Sequence, residues 1–181
     1  MIWAKFRCLE TDRLVLRAMR RSDAEDYYRH LASSEAVTRY MLFRPHRDAA
    51  ESVASVEKTL HRYEMGKTYR WVITRKGEDR LIGVIDLLRL DEQTGEGSFA
   101  YMLGEAFWGC GYGTEALKAV LAFALRDLGL NAVEADHMAE NAASGAVMRK
   151  AGMVYIRTDA AKYDKDGKRH DAPVYRICRE K

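Results

Sequence analysis

A mixed α/β fold is the architecture this sequence predicts, and three observations predict it. Strand-like blocks at 69–74, 81–90 and 96–103 follow one another through short polar turns, the pattern of an antiparallel meander. A glycine-rich turn then runs straight into a strongly periodic helix that ends near Gly129. Beyond it a strand at 132–138, a helix from Asn141 to about Gly152 and two further strand blocks alternate, which removes the chain from the all-β class.

The totals bound the problem. A chain of 181 residues is long enough for one domain, 1–181, with a sizeable core. A formal charge of +3, with acidic residues interrupting the basic ones, points away from nucleic acid as a partner. Cys8, Cys110 and Cys178 make neither a zinc pattern nor a disulfide framework, so a reducing cytoplasm is expected and no metal site is. No apolar run is long enough to span a bilayer, and the amino end MIWAKFRCLETDR lacks the apolar segment of a secretory signal.

Taken in order, Leu14 to Ala18 reads as a short strand after the polar Thr11-Asp12-Arg13 turn. Ser22 and Glu25 stand at capping-box spacing and open a helix to about Leu31, with Ala24, Tyr27, Tyr28 and Leu31 on its apolar face. A helical turn is expected within 33–41. Asp48 and Glu51 repeat the capping spacing before a helix whose apolar face is Val53, Val56, Leu60 and Tyr63 and whose stop is Gly66. In the meander, the 81–90 block is too continuously apolar for a strand with one wet face, so both of its faces are expected to be covered. In 96–103, Gly97, Phe99, Tyr101 and Leu103 share one parity. Ala116, Leu117, Val120, Leu121, Ala124, Leu125 and Leu128 give the next helix a broad apolar face. Asn141 caps the last helix. Strands at 153–162 and 173–178 around the Asp166-Gly167 turn close the chain.

The chemistry concentrates between Tyr101 and Gly129, where Gly104, Gly109, Gly111 and Gly113 precede the helix. Glycines feeding a helix amino end make an anion clamp, because backbone amides approach closely and the helix dipole favours negative charge. No Gly-Lys-Ser or Gly-Lys-Thr follows, which excludes the nucleotide-kinase loop. The third glycine comes too early for a dinucleotide fingerprint. The residues therefore nominate a phosphate-bearing ligand and leave its identity open.

Four segments occur together and in order: ETDRLVLRAM at 10–19, LIGVIDL at 81–87, YMLGEAFWGCGYGTEAL at 101–117 and NAASGAVMRKAGM at 141–153. With them the chain resembles the GNAT superfamily of acetyl-CoA-dependent N-acetyltransferases, in particular its RimJ/RimL-like branch. The resemblance implies a bent mixed sheet, flanked by helices, that splays between the 96–103 and 132–138 strands to admit acetyl-CoA. It assigns the pantetheine arm to backbone groups of Tyr101, Met102 and Leu103. It assigns the pyrophosphate to Gly109, Cys110, Gly111, Tyr112, Gly113 and Thr114. Asn141 and Ser144 would start the cofactor-facing helix, Asn141 as cap and contact, Ser144 as the hydroxyl that protonates the departing thiolate.

The implied reaction is direct attack of a deprotonated amine, with the oxyanion held by a main-chain donor near Met102 or Leu103. Glu134 and Glu96 are the candidate bases. His137 is a further candidate by residue type but lies at opposite strand parity to Glu134, and Asp136 is a weaker choice. Cys110 sits in the phosphate turn with no base partner, which argues against a covalent route. Trp71 and Trp108 are expected in the core or cofactor wall, and the basic run at 165–169 in a solvated turn. The acceptor expected from the resemblance is a primary amine, a protein N-terminal α-amine such as that of a ribosomal protein, or else a polyamine, amino sugar or other small amine. A noncatalytic acyl-CoA-binding regulatory domain is the alternative of a different class, and a homodimer is compatible with the family.

Overall fold

The computed structural model describes residues 6–180. Residues 1–5, the first part of the stretch weighed as a secretory signal, and Lys181 lie outside the described residues. Eight strands form one sheet in the order β1-β2-β3-β4-β5-β6-β8-β7. They are β1 (Leu9–Glu10), β2 (Leu14–Arg17), β3 (Tyr69–Arg75), β4 (Gly83–Asp91), β5 (Glu96–Leu103), β6 (Ala132–Asp136), β7 (Val154–Lys165) and β8 (Lys168–Cys178). All neighbours are antiparallel except β5 and β6. A parallel pair needs a crossover, and α4 (Tyr112–Ala122) supplies it. The other helices are α1 (Ala24–Tyr27), α2 (Glu35–Thr38), α3 (Ala49–Glu64) and α5 (Ala142–Lys150).

Strand alternation divides the core into two layers. Leu16, Trp71, Ile85 and Phe99 face α4 and α5, together with Leu117, Val120 and Met148. Val72, Val84 and Met102 face the α1–α3 side, packing with Tyr27, Leu31 and Val56. The first half of β4 is buried on both faces, as its continuous apolar run requires.

Two helix details differ from the sequence reading. The first helix does not start at Ser22: the Asp23 carboxylate accepts the Arg20 amide (2.7 Å) and grips the buried Arg17 guanidinium in a bidentate pair (2.7 and 2.9 Å). The cap therefore lies at Arg20, and a 3-10 turn over Arg21–Asp23 leads into α1. In α3 the cap at Asp48 is as expected, its Oδ1 accepting the Glu51 amide at 3.1 Å. Yet Val53 is 48% exposed, while Ser52 is fully buried and bonds His46 Nδ1 at 2.8 Å. A satisfied hydroxyl has taken the place expected for the valine.

The final hairpin is longer than its hydrophobic pattern, because ladder pairing recruits polar residues. β7 and β8 run up to Asp166-Gly167, both at positive φ (52° and 77°). Pro173 is tolerated in β8 because pairing with β6 ends at Val174. The feature that creates a site lies one strand over. β5 and β6 pair only at Glu96↔Ala132 and Gly97↔Val133, and beyond those two rungs they part.

Candidate active site

The gap between β5 and β6 opens into a cleft of about 1300 Å³. It reaches from the glycine turn and the start of α5 to Arg89 of β4 and Tyr163 of β7, and the segment after α2 forms its far wall.

At the glycine-turn end, Gly111 takes φ +82° and is the N-cap of α4, with no side chain to occupy the first amides. The amides of Tyr112, Gly113 and Thr114 therefore stand at a helix start without intrahelical acceptors, a fitting cradle for a phosphate. Arg13 braces this turn from outside. Its guanidinium lies 4.7 Å over the Tyr112 ring and its Nη1 donates to the Cys110 carbonyl at 3.0 Å. It also resolves a conflict, since Glu115 places a carboxylate in the first turn of α4. Glu115 accepts from the Thr11 hydroxyl (2.6 Å), the Arg13 amide (2.9 Å) and Arg13 Nε (2.7 Å). Burial pushes its pKa up, but these hydrogen bonds hold it below the ordinary glutamate value. Lys118 and Lys150 line the same end. These three basic residues escaped the sequence reading, because nothing in periodicity separates a ligand-facing Lys from a solvated one.

Along β5, alternation decides which backbone groups reach the gap. The Gly104 amide bonds the Ile82 carbonyl at 2.9 Å, so in an antiparallel ladder Met102 and Ala100 are committed to β4. Phe99, Tyr101 and Leu103 then turn their main-chain groups toward β6, and the Leu103 carbonyl takes the Trp108 indole N–H at 2.6 Å. This corrects the expectation for Met102: its backbone serves the sheet, and only its side chain lines the cleft. Tyr101 and Leu103 keep the amides that face the opening.

Across the gap, the Asn141 side chain accepts the Ser144 amide at 3.3 Å and caps α5. Ser144 is buried and stands beside the Tyr101 phenol in the cleft lining. Burial pushes the Tyr101 pKa up, and the Ser144 contact partly offsets it. Cys110 is exposed, its thiol donating only to the Trp108 carbonyl at 3.5 Å. Trp71 is core, fully buried and stacked on Tyr69, and lies outside the cleft lining, whereas Trp108 stands at the cleft rim.

At the opposite end the candidate bases are held in ion pairs. Arg176 of β8 bridges the two glutamates, donating to Glu96 at 2.6 Å and to Glu134 at 3.2 Å, and Arg157 adds 2.6 Å to Glu134. Arg157 above all, then Arg176, hold the Glu134 pKa below the ordinary value against the opposing effect of burial. A carboxylate pinned by two guanidiniums is a weak proton acceptor, which describes Glu134, while Glu96 is tied to β8 through Arg176. Asp136 is engaged as well, by Lys162 Nζ at 2.7 Å and by the Tyr163 hydroxyl. Burial and then the Asp136 contact raise the Tyr163 pKa. His137 turns to the other face, donating from Nδ1 to the Met138 carbonyl (2.7 Å) and stacking on Tyr175. Its Nε2 is buried without a hydrogen-bond partner and lies where a side chain on Gly145 would begin, 2.6 Å from that position.

The run at 165–169 is more than a solvated turn. Lys165 Nζ donates to the carbonyls of Thr38 (2.9 Å) and Met41 (2.6 Å), and Arg44 pairs with Asp166 at 3.0 Å. The hairpin tip thereby ties down the segment that walls the far end of the cleft.

Comparison with known proteins gives consistent results. Residues 13–154 match the family described as acetyltransferase (GNAT) domain. The chain is 26% identical over 174 residues to the Bacillus subtilis protein named uncharacterized N-acetyltransferase YoaA, covering 96% of this chain and 98% of that one. It is 30% identical over 136 residues to uncharacterized N-acetyltransferase p20 of Bacillus licheniformis, covering 75% and 76%. Among solved structures, RimL, a ribosomal L7/L12 alpha-N-protein acetyltransferase in complex with coenzyme A, superposes with a TM-score of 0.85 at 19% identity, covering 96% of this chain and 98% of that one.

Proposed function

The chain belongs to the GNAT acetyltransferase family, and from that premise we propose that it carries an acetyl group from acetyl-CoA to a primary amine in a single ternary complex. The observation that carries this reading is the β5–β6 gap, with an uncapped helix amino end at one side and the side chains of Tyr101 and Ser144 in its wall. When bound, acetyl-CoA supplies an activated thioester carbonyl. The amides at 112–114, with Arg13 bracing their turn, hold the anionic part of that molecule. The Leu103 and Tyr101 amides face the position of developing negative charge on oxygen. Ser144 Oγ donates the proton that the leaving sulfur needs, with the Tyr101 phenol behind it. On the amine side the ammonium proton leaves through water, since Glu96 and Glu134 are committed to arginines and Asp136 to Lys162 and Tyr163.

A protein N-terminal α-amine is the leading acceptor on this reading, in keeping with the RimJ/RimL-like resemblance and with the activity named for the superposable RimL. A small amine is the second reading, favoured by the Lys165 contacts that tie down the far wall and narrow the approach. The deciding experiment is an acetyl-transfer screen over peptide N-termini and small amines, read by mass spectrometry of the products. Acetylated amine is the expected product. Thiol release without an acetylated acceptor shows a hydrolase, and cofactor binding without turnover across the panel shows a regulatory domain instead.

A further inference from the structure

We propose that Arg89 is the specificity-determining residue at the acceptor end, and that the preferred acceptor is a primary amine carrying a carboxylate a few bonds from the reacting nitrogen. This rests on the amine-transfer reading above and adds the chemistry that would select among amines.

The backbone supplies the first argument. β4 loses its regular register between Leu88 and Asp91, and Arg89 within that irregularity sits at φ +49°, in the left-handed region. For a residue with a β-carbon this conformation is strained. Bulges at strand ends re-aim side chains, and here two consecutive residues, Leu88 and Arg89, both line the cleft. Regular alternation would send them to opposite faces.

Charge supplies the second. Each carboxylate at this end already has a partner. Asp91 accepts the Gln93 and Thr94 amides (2.8 and 3.3 Å), Glu96 and Glu134 hold Arg176 and Arg157, and Asp136 holds Lys162 and Tyr163. Arg89 is exposed and has no hydrogen bond or ion pair among the described residues, and its charge acts on the Tyr163 phenol. A guanidinium kept free beside saturated carboxylates is available to an anion arriving from outside, and its planar fork fits a carboxylate bidentately.

Distance supplies the third. Leu88 pairs with Ser98, three residues along β5 from Tyr101, which is about 10 Å of strand. The length of the arginine side chain shortens that span. The matching group is therefore a carboxylate close to the amine: the α-carboxylate of a free amino acid, or an acidic side chain at the second or third position of a peptide.

The test is steady-state kinetics of wild type and Arg89→Gln on matched acceptors. One pair is a free amino acid against its amide, and the other is a short peptide with Asp or Asn at its second position. Wild type is expected to prefer the carboxylate member of one pair by about tenfold or more in kcat/KM, the worth of a charge-assisted hydrogen bond. The pair showing the preference identifies the source of the carboxylate. Arg89→Gln should bring that ratio close to one while leaving the KM for acetyl-CoA unchanged. Arg89→Gly, which relieves the left-handed strain, should lose the preference equally without loss of thermal stability. Transfer to amines without any preference for a carboxylate in wild type overturns the proposal, as does an equal fall for both members of a pair in Arg89→Gln. Failure to acetylate any amine overturns the transferase reading, and this one with it.

Discussion

Tyr101 of β5 and Ser144 of α5 stand side by side in the lining of the cleft that opens where β5 and β6 part. If Ser144 hands its proton to the leaving sulfur, Ser144→Ala lowers kcat by about 100-fold with little change in the KM for acetyl-CoA. Tyr101→Phe, which removes only the supporting hydroxyl, lowers kcat by roughly tenfold. Unchanged turnover in Ser144→Ala, measured by thiol release and product mass, removes the acid role.

Glu134→Gln separates a base from a strut. A general base contributes on the order of 100-fold or more, whereas a strut leaves kcat within about threefold. The structure predicts the second outcome, because Arg157 and Arg176 occupy the carboxylate. The sign of the acid response follows. The Glu134 pKa is depressed on folding, so its stabilising contribution is present above the unfolded value near 4.3 and is lost as pH falls through the folded value. Acid melts of wild type should therefore drop below about pH 4, and those of Glu134→Gln less steeply.

Arg13→Gln tests the brace on the glycine turn. It removes the Tyr112 stacking and the Cys110 carbonyl bond, and it leaves Glu115 as an under-compensated carboxylate at the α4 amino end. The KM for acetyl-CoA should rise about tenfold with kcat nearly unchanged, since the lost interactions act on binding alone. Calorimetry with coenzyme A gives the same answer without turnover. The double variant Arg13→Gln/Glu115→Gln should recover part of the affinity, a rescue that simple loss of packing would not show.

Tyr63 predicts an alkaline transition. Its hydroxyl accepts the Met19 amide at 3.2 Å and donates to the Arg70 carbonyl, and burial pushes its pKa up to about 12. An acid whose pKa rises on folding holds its proton longer in the native state. The stability tied to it is complete below the unfolded value near 10 and falls as pH rises from about 10 to 12. That loss is roughly 2 kcal/mol. Thermal melts across this window should show it in wild type. Tyr63→Phe should flatten the response while lowering stability at neutral pH by about 1 kcal/mol.

What the sequence by itself determined is what lies within about ten residues of its own signal. Gly111 before α4, the caps at Asp48 and Asn141, the alternation of β5 and the Asp166-Gly167 turn are local conformational choices, written where they act. Together they convey the mixed fold, the glycine turn at one end of the cleft and the helix start that carries Ser144. Only the tertiary structure decided the rest, because charges and ladders find partners across the chain. Arg176 reaches Glu96 from 80 residues away, Lys165 closes on Thr38 from 127, and both corrections to the acceptor side follow from those contacts. Neither the register of β4 against β5, which turns Met102 away from the gap, nor the irregularity that aims Arg89 into it leaves a mark in residue order. A bulge is settled by the partner strand, and an ion pair by whichever guanidinium the fold brings near.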